Sequence, residues 1–131
     1  MQMVFAETTM LVRVHDEGLI DRLFSTSHSF HVVDIVADKL NKRTRSLFFA
    51  SGLLEQPLDS AKMLLLPEAC RTMPCACVGE AASLIYAEAS GSELLSSSIP
   101  FSRLDRAKRC GVHDYGWIEA ALSAAIPTGG M

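Results

Sequence analysis

Residues Arg45–Asp59 read RSLFFASGLLEQPLD, and the assignment of this one stretch decides the fold. Leu47, Phe48, Phe49 and Ala50 form a short apolar run, Ser51-Gly52 interrupts it, and Leu53-Leu54 starts a second. Short apolar runs bounded by turn residues suit strands. The reading is therefore a strand over 46–50, a turn at Ser51-Gly52, and a short strand over 53–58 that Pro57 confines to a sheet edge, because proline has no N–H to donate. With Leu47 and Phe49 facing inward, strand alternation turns Phe48 outward.

Working outward, SFHVVDIVADKLNKR (29–43) places Val32, Val33, Val36 and Leu40 at helical spacing, with Asp34, Asp38, Lys39 and Lys42 on the other face. Ser29 is the expected cap of this helix. Upstream, Met10, Val12 and Val14 alternate with Leu11, Arg13 and His15, as in a half-buried strand. The polar stretch His15–Gly18 then turns the chain into a second strand over Leu19–Phe24. Downstream, DSAKMLLLP reads as a helical turn capped by Asp59 and closed by Pro67. RTMPCACV (71–78) reads as a fifth strand with Cys75 and Cys77 on one face, in the core. The expected fold class is α+β, a mixed sheet with one helix packed across it.

This order resembles the ubiquitin-like β-grasp family over residues 9–79, carried by SLFFASGLLE for the strand–turn–strand and SFHVVDIVADKL for the cross-sheet helix. Within the family the spacing is similar to the elongin-B-like adaptors. Residues 10–43, then Arg71, Pro74, Val78 and Gly79, and Pro100-Phe101 carry that likeness. The bridge of Arg43 and Thr44 is shorter than the family's connection, Glu80, Ala81 and Ala82 replace its apolar residues, and 105–131 match nothing in it. The resemblance implies a ubiquitin-like domain over 1–79 and an extension over 80–131. It also implies a non-catalytic adaptor that pairs with an elongin-C-like subunit in a cullin-type ubiquitin ligase or elongin complex. The alternative is an accessory structural subunit of a large assembly, such as a mitochondrial complex. Phe48, beside Leu11, falls where the family places its recognition patch, so both are expected at a partner interface.

In the extension, SLIYAEA (83–89) reads as a strand, SGSELLSSSIP (90–100) as a serine-rich connector, and HDYGWIEAALSAAI (113–126) as a helix. Asp114 is its expected cap, and Tyr115, Ile118, Leu122 and Ala125 share one stripe. Tyr115, Trp117, Ile118 and Leu122 are the further expected partner contacts, since a short helix needs a surface to pack on. The terminal TGGM suggests a ubiquitin-like modifier matured at Gly129-Gly130, but this pair lies about fifty residues past the expected last strand, a poor fit to a short tail.

No active site is expected. There is no G-x-S-x-G and no phosphate-cradling glycine loop, and His15, His28, His31 and His113 are scattered. Cys70, Cys75, Cys77 and Cys110 with His113 are zinc-type ligands, but their spacing suits reduced core residues better than a metal site. No cofactor or metal is expected. A net charge of −3 argues against a nucleic-acid partner. The basic clusters at 39–45 and 103–109 are expected at helix C-termini, where they meet the negative end of the dipole. No apolar run reaches the ~18 residues of a membrane span, and the start lacks a signal-peptide pattern. The expected location is intracellular, cytoplasmic or nuclear, with a mitochondrial alternative.

Overall fold

The first strand is one that periodicity passes over. In the computed structural model, which describes residues 1–125, β1 (Gln2–Phe5) buries Met3, Val4 and Phe5 on both faces, so it shows no polar alternation. Then come α1 (Thr8–Asp16), α2 (Ile20–Phe24), β2 (Ser29–Val33), α3 (Asp34–Ala37), α4 (Lys42–Ser51), β3 (Leu54–Gln56), α5 (Ser60–Met63) and α6 (Leu66–Thr72). The chain continues through α7 (Val78–Ser90), β4 (Glu93–Leu95), α8 (Ile99–Ser102), α9 (Asp105–Cys110), β5 (Val112–His113) and α10 (Tyr115–Ala125). Gly129-Gly130 lie outside the described residues.

The five strands form one sheet in the order β3-β2-β1-β4-β5, and every neighbouring pair is parallel. This corrects the β-grasp expectation, which requires a mixed sheet. The fold is α/β, with helices on both faces of the sheet. Met3, Phe5 and Phe30 face one layer, where the rings of Phe5, Phe24, Phe30, Phe48 and Trp117 pack against one another beneath α1, α2, α4 and α10. Val4, His31 and Leu94 face the other, beneath α3, α6, α7 and α9. His31, buried in that layer, accepts at Nδ1 from Gln56 Nε2 (3.0 Å) and bonds Ser29 Oγ through Nε2 (3.2 Å), stitching β2 to β3. Its burial lowers its pKa.

The stretch 45–59 is a helix followed by a short strand. Residues 42–51 are helical, with Asn41 capping the start through a bond from Thr44 N–H (2.8 Å). Gly52, at φ 121°, stops the helix, while Gly52 N–H and Leu53 N–H close on the carbonyls of Phe49 and Phe48. The Ser-Gly pair is therefore a helix terminus rather than a hairpin turn. Helical spacing buries Thr44 and Phe48 together and turns Leu47 outward, at 44 % exposure. Phe48 is fully buried, which corrects its placement at a partner interface.

Leu11 is corrected in the same way, because Thr8–Asp16 is a helix that buries Met10, Leu11 and Val14 and exposes Val12. The stretch 83–89 belongs to α7, not a strand. That helix is capped by Cys77 and Glu80 and ended by Gly91 at φ 70°. Cys75 and Cys77 sit exposed in the connection before α7 rather than in a core strand. The division at residue 79 does not separate domains, because β1 pairs with β2 on one side and β4 on the other. One sheet and one core run through both segments. Finally, Tyr115, Ile118 and Leu122 are buried against the chain's own sheet layer, and half-buried Trp117 packs on Phe30 and His28. The stripe on α10 is intramolecular, so these four residues are core contacts, not a free interface.

Candidate functional site

In open parallel sheets ligands bind beyond the carboxyl ends of the strands, where the strand order reverses direction. Here that point lies between β1 and β4: the chain winds outward from β1 through β2 to β3, then returns to β1's other side. Ala6 N–H donates to Leu95 O (2.9 Å), which extends the pairing one residue past β1. Glu7 follows. One carboxylate oxygen accepts from Thr9 N–H (3.0 Å), capping α1, and the other accepts from the N–H (3.3 Å) and hydroxyl (3.2 Å) of Ser97.

The serine run after β4 is built into the same edge. Ser96 N–H donates to His113 O (3.0 Å), and its hydroxyl donates to Glu80 (3.3 Å) while accepting from Ser98 N–H (3.1 Å). Ser98 caps α8. Glu80 is buried and completes a reciprocal cap, accepting from Cys77 N–H (2.9 Å) while its own N–H bonds the Cys77 sulfur (3.4 Å). Glu7 and Glu80 therefore converge on one end of the sheet, yet their oxygens are occupied by the chain's own donors. Among the described residues, no three of His, Cys, Asp and Glu come together as a metal would require.

Beside this tied edge is a cleft of about 450 Å³ over the ends of β4 and β5, lined among others by Arg13, Ser97, Ile99, Ser102, His113 and Tyr115. Tyr115 forms its packed wall. The Arg13 guanidinium lies over the Tyr115 ring at 3.8 Å and donates through Nε to Glu17 (2.8 Å), which also accepts from the Tyr115 hydroxyl (3.3 Å). Burial, with Glu17 adding to it, pushes the Tyr115 phenol up to about 12. Asp114 accepts from Gly116 N–H (2.9 Å) and caps α10, as its place in the sequence suggested. His113 bonds Glu93 through Nε2.

Comparison with protein-family models, with curated proteins and with solved structures finds no match.

The site residues are therefore those that the geometry brings together. Of the partner contacts expected from sequence, only Tyr115 lines the cleft; Leu11, Phe48, Ile118 and Leu122 lie in the core. Sequence reasoning missed Arg13, Glu93, Ser96, Ser97 and His113 as a group. The available signal was SELLSSSIP: a two-residue apolar core followed by a serine run and Ile-Pro is a strand end leading into a capped turn. Partial desolvation raises the Cys77 and Cys110 thiols, which disfavours their thiolate forms. The basic clusters divide. Lys108 and Arg109 close α9 as expected, whereas Lys42, Arg43 and Arg45 open α4, with Arg45 held by Asp38 (3.2 Å). No helix among the described residues is long and apolar enough to cross a membrane.

Proposed function

We propose that the protein is a non-catalytic α/β binding domain that takes a small polar ligand in the cleft over β4 and β5. The observation that carries this reading is a cleft of about 450 Å³ beside the β1/β4 reversal. It adjoins the place where open parallel sheets hold ligands, and the volume lies within the usual range for small-molecule sites. The lining also selects against polyanions. Arg13 is already balanced by Glu17, while Asp114 and Glu119 add negative charge to the rim.

The test is a fragment screen by two-dimensional amide NMR, followed by the same screen on Ser102→Trp. Ser102 lines the cleft at its half-exposed rim, so the larger side chain fills the space without entering the core. Fragments that move Gly116 and Ser102 resonances, and lose affinity in the variant while its melting temperature is kept, support the reading. Binding that is indifferent to Ser102→Trp counts against it.

An adaptor role is a second reading, favoured by one observation. Met63, Leu64 and Leu65, at the junction of α5 and α6, are 45 %, 81 % and 57 % exposed. Consecutive exposed apolar residues are unusual on a monomer unless a partner covers them. Its test is the native complex of the wild type against Leu64→Asp/Leu65→Asp. Loss of an elongin-C-like or other defined subunit supports an adaptor, and equal recovery argues against it.

A further inference from the structure

His113 stands apart from the other polar groups of the cleft through its bond to Glu93. Both are half-buried, on adjacent strands, and bonded side chain to side chain. The backbone makes room for them: a Cβ on Gly111 would lie 3.1 Å from the Glu93 carboxylate oxygen and 3.3 Å from its Cδ and Cγ. Gly111 also has a φ of 88°, which side-chain-bearing residues rarely adopt. The Trp117 ring packs against His113 with centroids 6.1 Å apart.

An ionised carboxylate only accepts hydrogen bonds, so the imidazole nitrogen facing it carries the proton. Glu93 thus draws the Nε2 proton of His113 to itself, which in the neutral ring leaves Nδ1 bare, the same logic by which outer carboxylates orient ligand-binding histidines. Among the described residues no donor is bonded to Nδ1, and His113 lines the cleft. We propose that the Glu93–His113 pair is the recognition element of the cleft, with Nδ1 accepting a hydrogen bond from a hydroxyl of a neutral, polyhydroxylated ligand. This rests on the cleft being a ligand site.

The surroundings choose the ligand class. Asp114 from the loop after β5, Glu119 from α10 and Arg13 from α1, itself paired with Glu17, line the cleft with His113, and Glu93 bonds the His113 ring from β4. Carboxylates outnumber cations, so a phosphorylated or carboxylated ligand meets repulsion, whereas hydroxyls find acceptors in Nδ1 and the carboxylates.

The experiment uses the full chain with ribose and myo-inositol as neutral probes and ribose 5-phosphate as the anionic one. Ring-nitrogen NMR of His113 at neutral pH is expected to show Nε2 protonated and Nδ1 bare; the reverse tautomer overturns the proposal. A neutral probe is expected to move His113 and Gly116 resonances and to bind more tightly than the phosphate. His113→Phe weakens that binding by about tenfold, the loss of one hydrogen bond. Glu93→Gln, which keeps the shape, mixes the tautomers and weakens binding several-fold. Equal binding in all three proteins, or tighter binding of the phosphate, overturns the recognition role and leaves the cleft as a site. If other fragments fill the cleft while neither sugar binds, the proposal again fails alone. If nothing moves cleft resonances, both readings fall.

Discussion

Replacing Phe48 and Leu47 in turn by alanine separates the helix from the strand, because the two readings bury opposite residues. In the structure Phe48 has no exposed surface and its ring packs edge-on to Phe24, with centroids 6.1 Å apart. Truncating a fully buried phenylalanine costs about 3–5 kcal/mol, including the cavity it leaves. The lost aromatic pair is part of that figure, on the order of 1 kcal/mol. Leu47 is 44 % exposed and gives up far less apolar burial, so Leu47→Ala is expected to cost under about 1 kcal/mol. A domain of this size has a total stability of about 5–15 kcal/mol. Phe48→Ala thus removes a large fraction and Leu47→Ala a small one. Urea unfolding followed by circular dichroism and tryptophan fluorescence reads both, as midpoint shifts at constant slope. A larger loss from Leu47→Ala than from Phe48→Ala would refute the helical register and restore an outward Phe48.

Gly79→Ala is expected to destabilise by about 1–2 kcal/mol despite alanine's helix propensity, because its Cβ would lie 2.9 Å from Val36 Cγ2; thermal melting reads this, and a stabilised variant would show that α3 yields. Ile118→Ala, in fully buried contact with the core, is expected to cost about 2–5 kcal/mol in urea unfolding; a neutral result would detach α10 from the fold. His28 has a pKa lowered by burial first and by the chain's amino terminus second, and its buried Nδ1 has no partner. The unfolded chain then takes up a proton that the folded chain refuses, so stability is present above the unfolded value of about 6.5 and is lost as pH falls through the lower folded value. His28→Phe is expected to reduce the drop in urea midpoint between neutral pH and about pH 5, with buried His31 leaving a residue of it; an unchanged drop argues against this origin. The Tyr115 phenol, raised to about 12, favours its neutral form in the fold. Its contribution is present below about 10 and is lost as pH rises toward the folded value. Glu17→Gln is expected to lower the phenolate midpoint in an absorbance titration, and no change would place the shift on burial alone.

Local chemistry was legible where caps and helical stripes are strong. Asp59 caps α5 and Asp114 caps α10, and Tyr115, Ile118 and Leu122 do share one buried stripe. What failed was the choice of period in short apolar runs. Met10, Val12 and Val14 satisfy strand alternation, yet Met10, Leu11 and Val14 also form a helical stripe, and the cap from Glu7 selects the helix. Conversely β2 buries Phe30, His31, Val32 and Val33 without alternation, and the run into Val36 and Leu40 imitates a single helix. Strands buried on both faces carry no period-two signal. The candidate site was hidden for a different reason: Arg13, Ser97 and His113 come from widely separated segments, and only the sheet order brings them to one edge.

The central place of β1 has a consequence for synthesis. It is made before either strand that pairs with it, and β2 and β3 follow soon enough to cover one side. The other side is paired by Glu93–Leu95, about ninety residues later, which at ordinary translation rates is a wait of roughly five to twenty seconds. Through that interval Met3, Val4 and Phe5 present an uncovered, wholly apolar strand edge, the kind of surface that recruits the same segment of a neighbouring nascent chain. Yield on the ribosome is therefore governed by how quickly α7 and β4 emerge, or by what shields that edge until they do.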